Sequence, residues 1–222
     1  MRSYVRFIIT IAALFACSLC FSEPASHDTP PVDLSCPLSL REEIIKEINL
    51  ARKDPKAYAA FLKEFKKFYD GNKMKRSGKK IIMTKEGVKV VEEAITYLKS
   101  LDPLPLLKLS NGMSLAAKDH IDEISGTSLT GHVGSAGSLP GDRVNRFGTW
   151  SDAIGENICY GFDSPREIVI WMIIDDGFAS RGHRVNIFRP EFHFAGAWVC
   201  RHPLYDFMCV ITFAGKFEEK NK

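Results

Sequence analysis

The sequence predicts an α+β domain, and three observations carry that expectation. Apolar residues recur at helical spacing in separate stretches between residues 40 and 172. Two β-like runs, FHFAGAWVC and FMCVITFAGKF, close the chain, and helices and strands do not alternate as they would in a parallel α/β sheet. With 222 residues and 45% apolar content, the chain can bury one substantial core but hardly two.

Each element has a local reason. Residues 23–38 are polar, and Ser39 with Glu42 then forms a capping-box pattern ahead of an apolar stripe at Leu40, Ile44, Ile48 and Ala51. Asp54 and Pro55 end that helix and start another, in which Tyr58, Phe61, Leu62, Phe65 and Phe68 keep helical spacing up to the DGN turn at 70–72. KMKRSGKKIIMTK is basic and lacks a core pattern, so it reads as a solvated loop. Val88, Val91, Ile95 and Leu98 mark the next helix, which stops before DPLPLL, where prolines impose an extended path. Ser110 can cap a helix to about Ser125 that carries Met113, Ala117, His120 and Ile124 on one side, placing His120 in the core as a hydrogen-bonded residue. The glycine- and serine-rich stretch 126–141 reads as an ordered loop, and Ser164, Pro165 and Glu167 repeat the capping signature before Ile168, Val169, Trp171 and Met172. The final residues, 218–222, form a charged tail.

The N-terminus reads as an export signal over residues 1–22: Arg2 and Arg6 precede the apolar run FIITIAALFACSLCF, and polar SEPASHDTPP follows. Lipidation at Cys17 is the weaker reading, since Phe15 fits such a box poorly. Cleavage after Ser22 would leave 30 − 2 = 28 basic against 27 acidic residues. That near-neutral balance, with no basic face interleaved with aromatics, argues against nucleic acid as a partner, and no later segment is apolar enough to anchor the secreted chain in a membrane. Export permits disulfides, and Cys36, Cys159, Cys200 and Cys209 remain in the exported chain. A Cys200–Cys209 bond across the final hairpin is expected; the alternative is four buried thiols.

Polar groups that could carry chemistry concentrate in GHVGSAGS (131–138), GENICYG (155–161) and DDGFASRGHRVNIF (175–188). Histidine binds metal as neutral imidazole, and a neighbouring carboxylate orients it. Spacing alone does not show whether these motifs meet. Ser135 and Ser138 lack the surroundings of a nucleophile and read as turn residues.

These motifs, in this order, with AAKDHIDE before them and FAGAWVCRH after, resemble the CAP superfamily of cysteine-rich secretory, antigen 5 and pathogenesis-related proteins. The resemblance covers residues 42–217, and NLARKDPKAYA is most similar to the shorter bacterial-type SCP forms. It implies a three-layer α-β-α sandwich over residues 39–217 with a central cleft lined by two histidines and two acids. By motif these fall on His132, Glu156, His183 and either Asp175 or Asp176, with Asp176 favoured. The resemblance further implies a secreted, non-catalytic binding module whose His132 and His183 hold a divalent cation, zinc foremost, beside a lipid or sterol ligand. The alternative is a metal-dependent hydrolase with Glu156 as base. Arg184 and Asn186 are expected to hold their loop together.

Overall fold

The computed structural model describes residues 38–127 and 129–220; the expected signal peptide, Cys17 and Cys36 lie outside them. Helix α1 (Leu38–Lys53) buries Ile44, Ile48 and Ala51 completely, and Ser39 stands inside its first turn rather than ahead of it. Asp54 caps α2 (Pro55–Lys66), its carboxylate accepting from the Ala57 N–H at 2.9 Å, while Pro55 fills a first-turn position that needs no donor. The basic stretch expected as a solvated loop is instead part of a small antiparallel sheet. Strands β1 (Tyr69–Asp70), β2 (Lys73–Met74) and β3 (Ile82–Met83) pair in order around Gly71, whose φ of 58° suits glycine in a tight turn. Two anchors overrule the charge pattern: Met74 is fully buried, and Arg76, buried as well, pairs with Glu167 and stacks on Phe162.

Helix α3 (Val88–Ser100) buries Val91, Ile95 and Leu98, and the extended path that follows leads into β4 (Lys108–Leu109). Ser110 caps α4 (Asn111–Ile124) by accepting from the Met113 N–H at 3.1 Å. A short helix, α5 (Pro140–Phe147), and a long strand, β5 (Gly148–Tyr160), come next, neither of them marked by periodicity. Helices α6 (Pro165–Ile174) and α7 (Gly182–Ile187) precede the hairpin of β6 (Phe194–His202) and β7 (Asp206–Glu219). Ser164 makes no side-chain cap to α6, and Glu167 turns to Arg76 instead.

The main sheet runs β4-β6-β7-β5, with β4 parallel to β6 and the other pairs antiparallel. Helices α4 and α5 cover one face; α1, α6 and α7 cover the other, so the domain is a three-layer α-β-α sandwich. Gly196 shows how closely the layers approach: a Cβ there would stand 2.2 Å from the Ser114 nitrogen of α4. Strand β5 occupies the edge of the sheet, a position that decides where the cleft lies.

The expected Cys200–Cys209 bond is absent, for a reason of register. Cys200 lies opposite Met208 and Cys209 opposite Val199, so the two side chains point to opposite faces of the sheet. Cys209 shares its face with Cys159 across the β5–β7 pair. Among the described residues no helix is long and apolar enough to cross a membrane.

Candidate functional site

The loop after α4 brings His132 to one lip of a cavity of about 540 Å³, and α7 brings His183 to the other. The cavity lies against β5, the edge strand of the sheet. Its wall includes Ile158, Cys159 and Tyr160 of β5, with Trp171 and Phe178 from the α6 side. The motifs therefore meet, although nothing in their spacing required it.

Each histidine is held by a carboxylate. His132 Nδ1 lies 2.9 Å from Glu156 Oε1, and His183 Nδ1 lies 2.7 Å from Asp175 Oδ1. A carboxylate only accepts, so both rings donate from Nδ1 and keep the Nε2 lone pair free for an electrophile. Glu156 is buried behind His132 rather than on the cavity wall, with its second oxygen taking a 2.8 Å bond from Arg143 Nη2. Arg143, itself fully buried, also donates to the Ser138 and His132 carbonyls, at 2.8 and 3.1 Å. One guanidinium thus fixes both the carboxylate and the loop that carries the histidine. Ser138 is part of this scaffold, donating to Glu123 at 2.7 Å.

The acid that holds His183 is Asp175, while Asp176, the residue favoured from the sequence, lines the same cavity without touching the imidazole. Asp175 ends α6 in the left-handed conformation (φ 57°, ψ 47°), and this turns its carboxylate back onto α7. There it accepts from His183 Nδ1 and from the backbone N–H groups of His183 and Arg184, at 2.8 and 3.3 Å. Asp176 borders the cavity, but its oxygens accept from the Lys85 and Glu86 N–H groups at 2.7 and 2.8 Å, tying the loop to the start of α3.

Further polar contacts immobilise this half of the site. Arg184 donates to the Ile173 and Ile174 carbonyls at 2.6 and 3.0 Å and pairs with Glu93 at 2.7 Å. Asn186 reaches the Glu156 carbonyl at 3.3 Å and Asn157 Oδ1 at 2.9 Å, so both residues bind the loop as expected. Arg181 grips Glu86 and Glu93, and its hydrogen bonds, together with the Gly177 N–H, pull the Glu86 carboxyl down to about 2. His120 is a buried core histidine whose Nε2 meets the Gly131 carbonyl at 2.8 Å, bracing the His132 loop from beneath; burial lowers its pKa. Sequence reasoning missed Arg143, Tyr160, Trp171 and Phe178 as parts of the site. The signal available for Arg143 was the need of a buried glutamate for a cationic partner.

The model of the cysteine-rich secretory protein family, CAP, matches residues 51–213. The chain belongs to this family. The CAP match spans all three motifs and both histidine–carboxylate pairs. No match was found among curated protein sequences. Among solved structures, the CAP domain is similar to an outer surface protein of Borrelia burgdorferi (14% identity, TM-score 0.42, covering 60% of this chain and 88% of that one). It is similar to an extracellular SCP-domain protein of Bacillus anthracis str. Ames (20% identity, TM-score 0.41, covering 58% of this chain and 38% of that one). It is also similar to a cysteine-rich secretory protein of Staphylococcus aureus subsp. aureus Mu50 (15% identity, TM-score 0.34), again spanning 58% of this chain and 38% of the other.

Proposed function

We propose that the protein is an extracellular, non-catalytic binding module whose cleft holds a divalent cation between His132 and His183. The observation that carries this reading is the pair of carboxylate-oriented imidazoles on the two lips of one cavity, each with Nδ1 engaged and Nε2 available. This is the arrangement by which protein carboxylates prepare histidine as a metal ligand. Among the described residues no group of three or more His, Cys, Asp or Glu side chains is gathered to hold a metal. The two imidazoles would therefore be the protein ligands, with water or ligand atoms completing the shell. A zinc ion so held would supply positive charge and open coordination positions to the cavity.

Binding is favoured over hydrolysis by the state of the carboxylates. A general base needs a free oxygen near the substrate, whereas Glu156 is buried behind His132 with both oxygens engaged, and Asp175 spends both on α7. Export is supported by Arg2, Arg6 and the apolar run after them. The test is calorimetric titration of metal-stripped protein with zinc, beside the His132→Ala/His183→Ala variant. The variant is expected to lose zinc binding and keep its circular dichroism; equal zinc uptake by both proteins would refute the assignment.

A further inference from the structure

We infer that the cleft takes an extended peptide, which adds to the open edge of β5 as a further strand; this rests on the binding reading above and names the class of ligand. The sheet order leaves β5 paired with β7 alone. Backbone groups of a strand alternate in direction, and two hydrogen bonds fix which way each residue of β5 faces. Gly161, at the strand's end, donates inward to Phe207 at 2.9 Å, whereas the Glu156 carbonyl points outward and meets Asn186. By that parity Gly155, Asn157 and Cys159 serve β7, and Ile158 and Tyr160 turn both their N–H and C=O groups away from it. Among the described residues nothing occupies those outward groups.

The cavity wall agrees with this orientation. Ile158, Cys159 and Tyr160 all line it, three consecutive residues. A strand seen face-on offers every second residue; a strand seen edge-on offers each in turn. The open stretch is short, bounded by the Asn186 contact at Glu156 and by Gly161, which leaves the strand with φ 85°. A ligand lying there would sit between the Thr130–His132 loop on one side and Trp171, Phe178 and His183 on the other. Its alternate side chains would enter those two lips, and Phe178, 54% exposed and edge-on to the His183 ring, presents an apolar surface to one set. A volume of about 540 Å³ suits a few residues of such a ligand. Backbone pairing supplies affinity without regard to sequence, and the lips select side chains.

The experiment pans a phage-displayed random heptapeptide pool on the protein and resynthesises the recovered peptide with an N-methyl group at each position in turn. Strand addition predicts that methylation at every second amide over the bound core weakens binding by about tenfold or more, the scale of one lost hydrogen bond, while intervening positions tolerate it. Tyr160→Pro is compared with Tyr160→Ala. Both lack the ring and only proline lacks the outward N–H, so the proline variant should bind the more weakly; its missing donor faces away from β7 and spares the ladder. Methylation effects without alternation, or equal binding by the two variants, overturn the inference. Recovery of no peptide by a sample that still binds zinc overturns it and leaves the cation site standing. Alternating peptide binding in a sample that takes up no zinc does the reverse.

Discussion

Replacing Asp175 by asparagine tests whether the carboxylate behind His183 prepares it for metal. The side chain is fully buried and takes three hydrogen bonds, at 2.7 Å from His183 Nδ1 and at 2.8 and 3.3 Å from the His183 and Arg184 N–H groups. Asparagine tolerates the left-handed backbone at this position, so conformational strain is not the issue. Its amide, however, has one accepting oxygen and one donating nitrogen. If the nitrogen faces the imidazole, His183 must present an Nδ1 lone pair to it and carry its proton on Nε2, which removes the lone pair proposed to hold the cation. If the nitrogen faces the backbone, donors oppose donors at the start of α7. The second arrangement forfeits at least one buried hydrogen bond, worth about 1–3 kcal/mol of stability, whereas the first keeps all three contacts and gives up only the Nε2 lone pair. Loss of a carboxylate behind a metal-binding histidine typically lowers affinity about 10–100-fold, or roughly 1.4–2.8 kcal/mol. Calorimetric zinc titration and urea unfolding of the purified variant read both quantities. Asp176→Asn provides the contrast: it touches the Lys85 and Glu86 N–H groups rather than the imidazole, and should lower stability without a comparable loss of zinc. Wild-type zinc affinity in Asp175→Asn would refute the reasoning.

Three further outcomes follow from the packing. Arg52 is fully buried, and its guanidinium, brought down to about 10 by burial, donates to the carbonyls of Pro105, Ile187, Arg189 and Phe192. Arg52→Met orphans all four and should cost about 3–6 kcal/mol by urea unfolding, and a loss below about 1 kcal/mol would contradict it. Gly196→Ala places a methyl group 2.2 Å from backbone of α4 and should lower stability by about 1–3 kcal/mol through overpacking, read as a fall in melting temperature. The Glu86 carboxyl, ordinarily near 4.5, is held at about 2 by Arg181 and the Gly177 N–H. A depressed carboxyl stabilises the fold above its unfolded-state pKa and loses that contribution as pH falls through its folded value. The urea-midpoint gap between wild type and Glu86→Gln should therefore shrink from about pH 5 down to about pH 2, and a constant gap would rule the Arg181 contact out as its source.

The helices were legible where local chemistry and burial agree. Asp54 before Pro55 and Ser110 before an apolar stripe mark real caps, and Val91, Ile95 and Leu98 point inward as their spacing requires. Strand β5 was not legible. Its sequence, GTWSDAIGENICY, is broken by a register shift between Ser151 and Ile154 and by Asp152 at φ 72°, so its periodicity is lost and its strand character comes from pairing with β7. The small β1–β3 sheet escaped notice because lysines dominate its pattern, whereas Met74 and Arg76 reach distant partners that local reading does not contain. The cysteine error has the same origin. The hairpin was foreseen, but only its register reveals that Cys200 meets Met208 rather than Cys209, and one residue of register exchanges the two faces of a strand.

The site shows the limit most sharply, because its parts were named by motif while their roles depend on geometry. His132, Glu156 and His183 belong to the cleft region, yet each acid serves to orient its histidine, Glu156 from behind the cavity wall and Asp175 at the wall with both oxygens engaged. Adjacent Asp175 and Asp176 have the same chemistry, and what separates them is the left-handed turn at the end of α6, which sends one carboxylate to α7 and the other to α3. The two halves also balance charge differently. Glu156 is compensated by the buried Arg143, whereas the Asp175 carboxylate is held by backbone N–H groups and by the imidazole itself. A buried carboxylate that accepts from an imidazole fixes the orientation of the ring and strengthens its far nitrogen as a donor to a bound cation. On the proposed cation-binding reading His183, whose carboxylate has no arginine partner, would be the stronger ligand of the pair, and His132, whose carboxylate is paired with Arg143, the weaker.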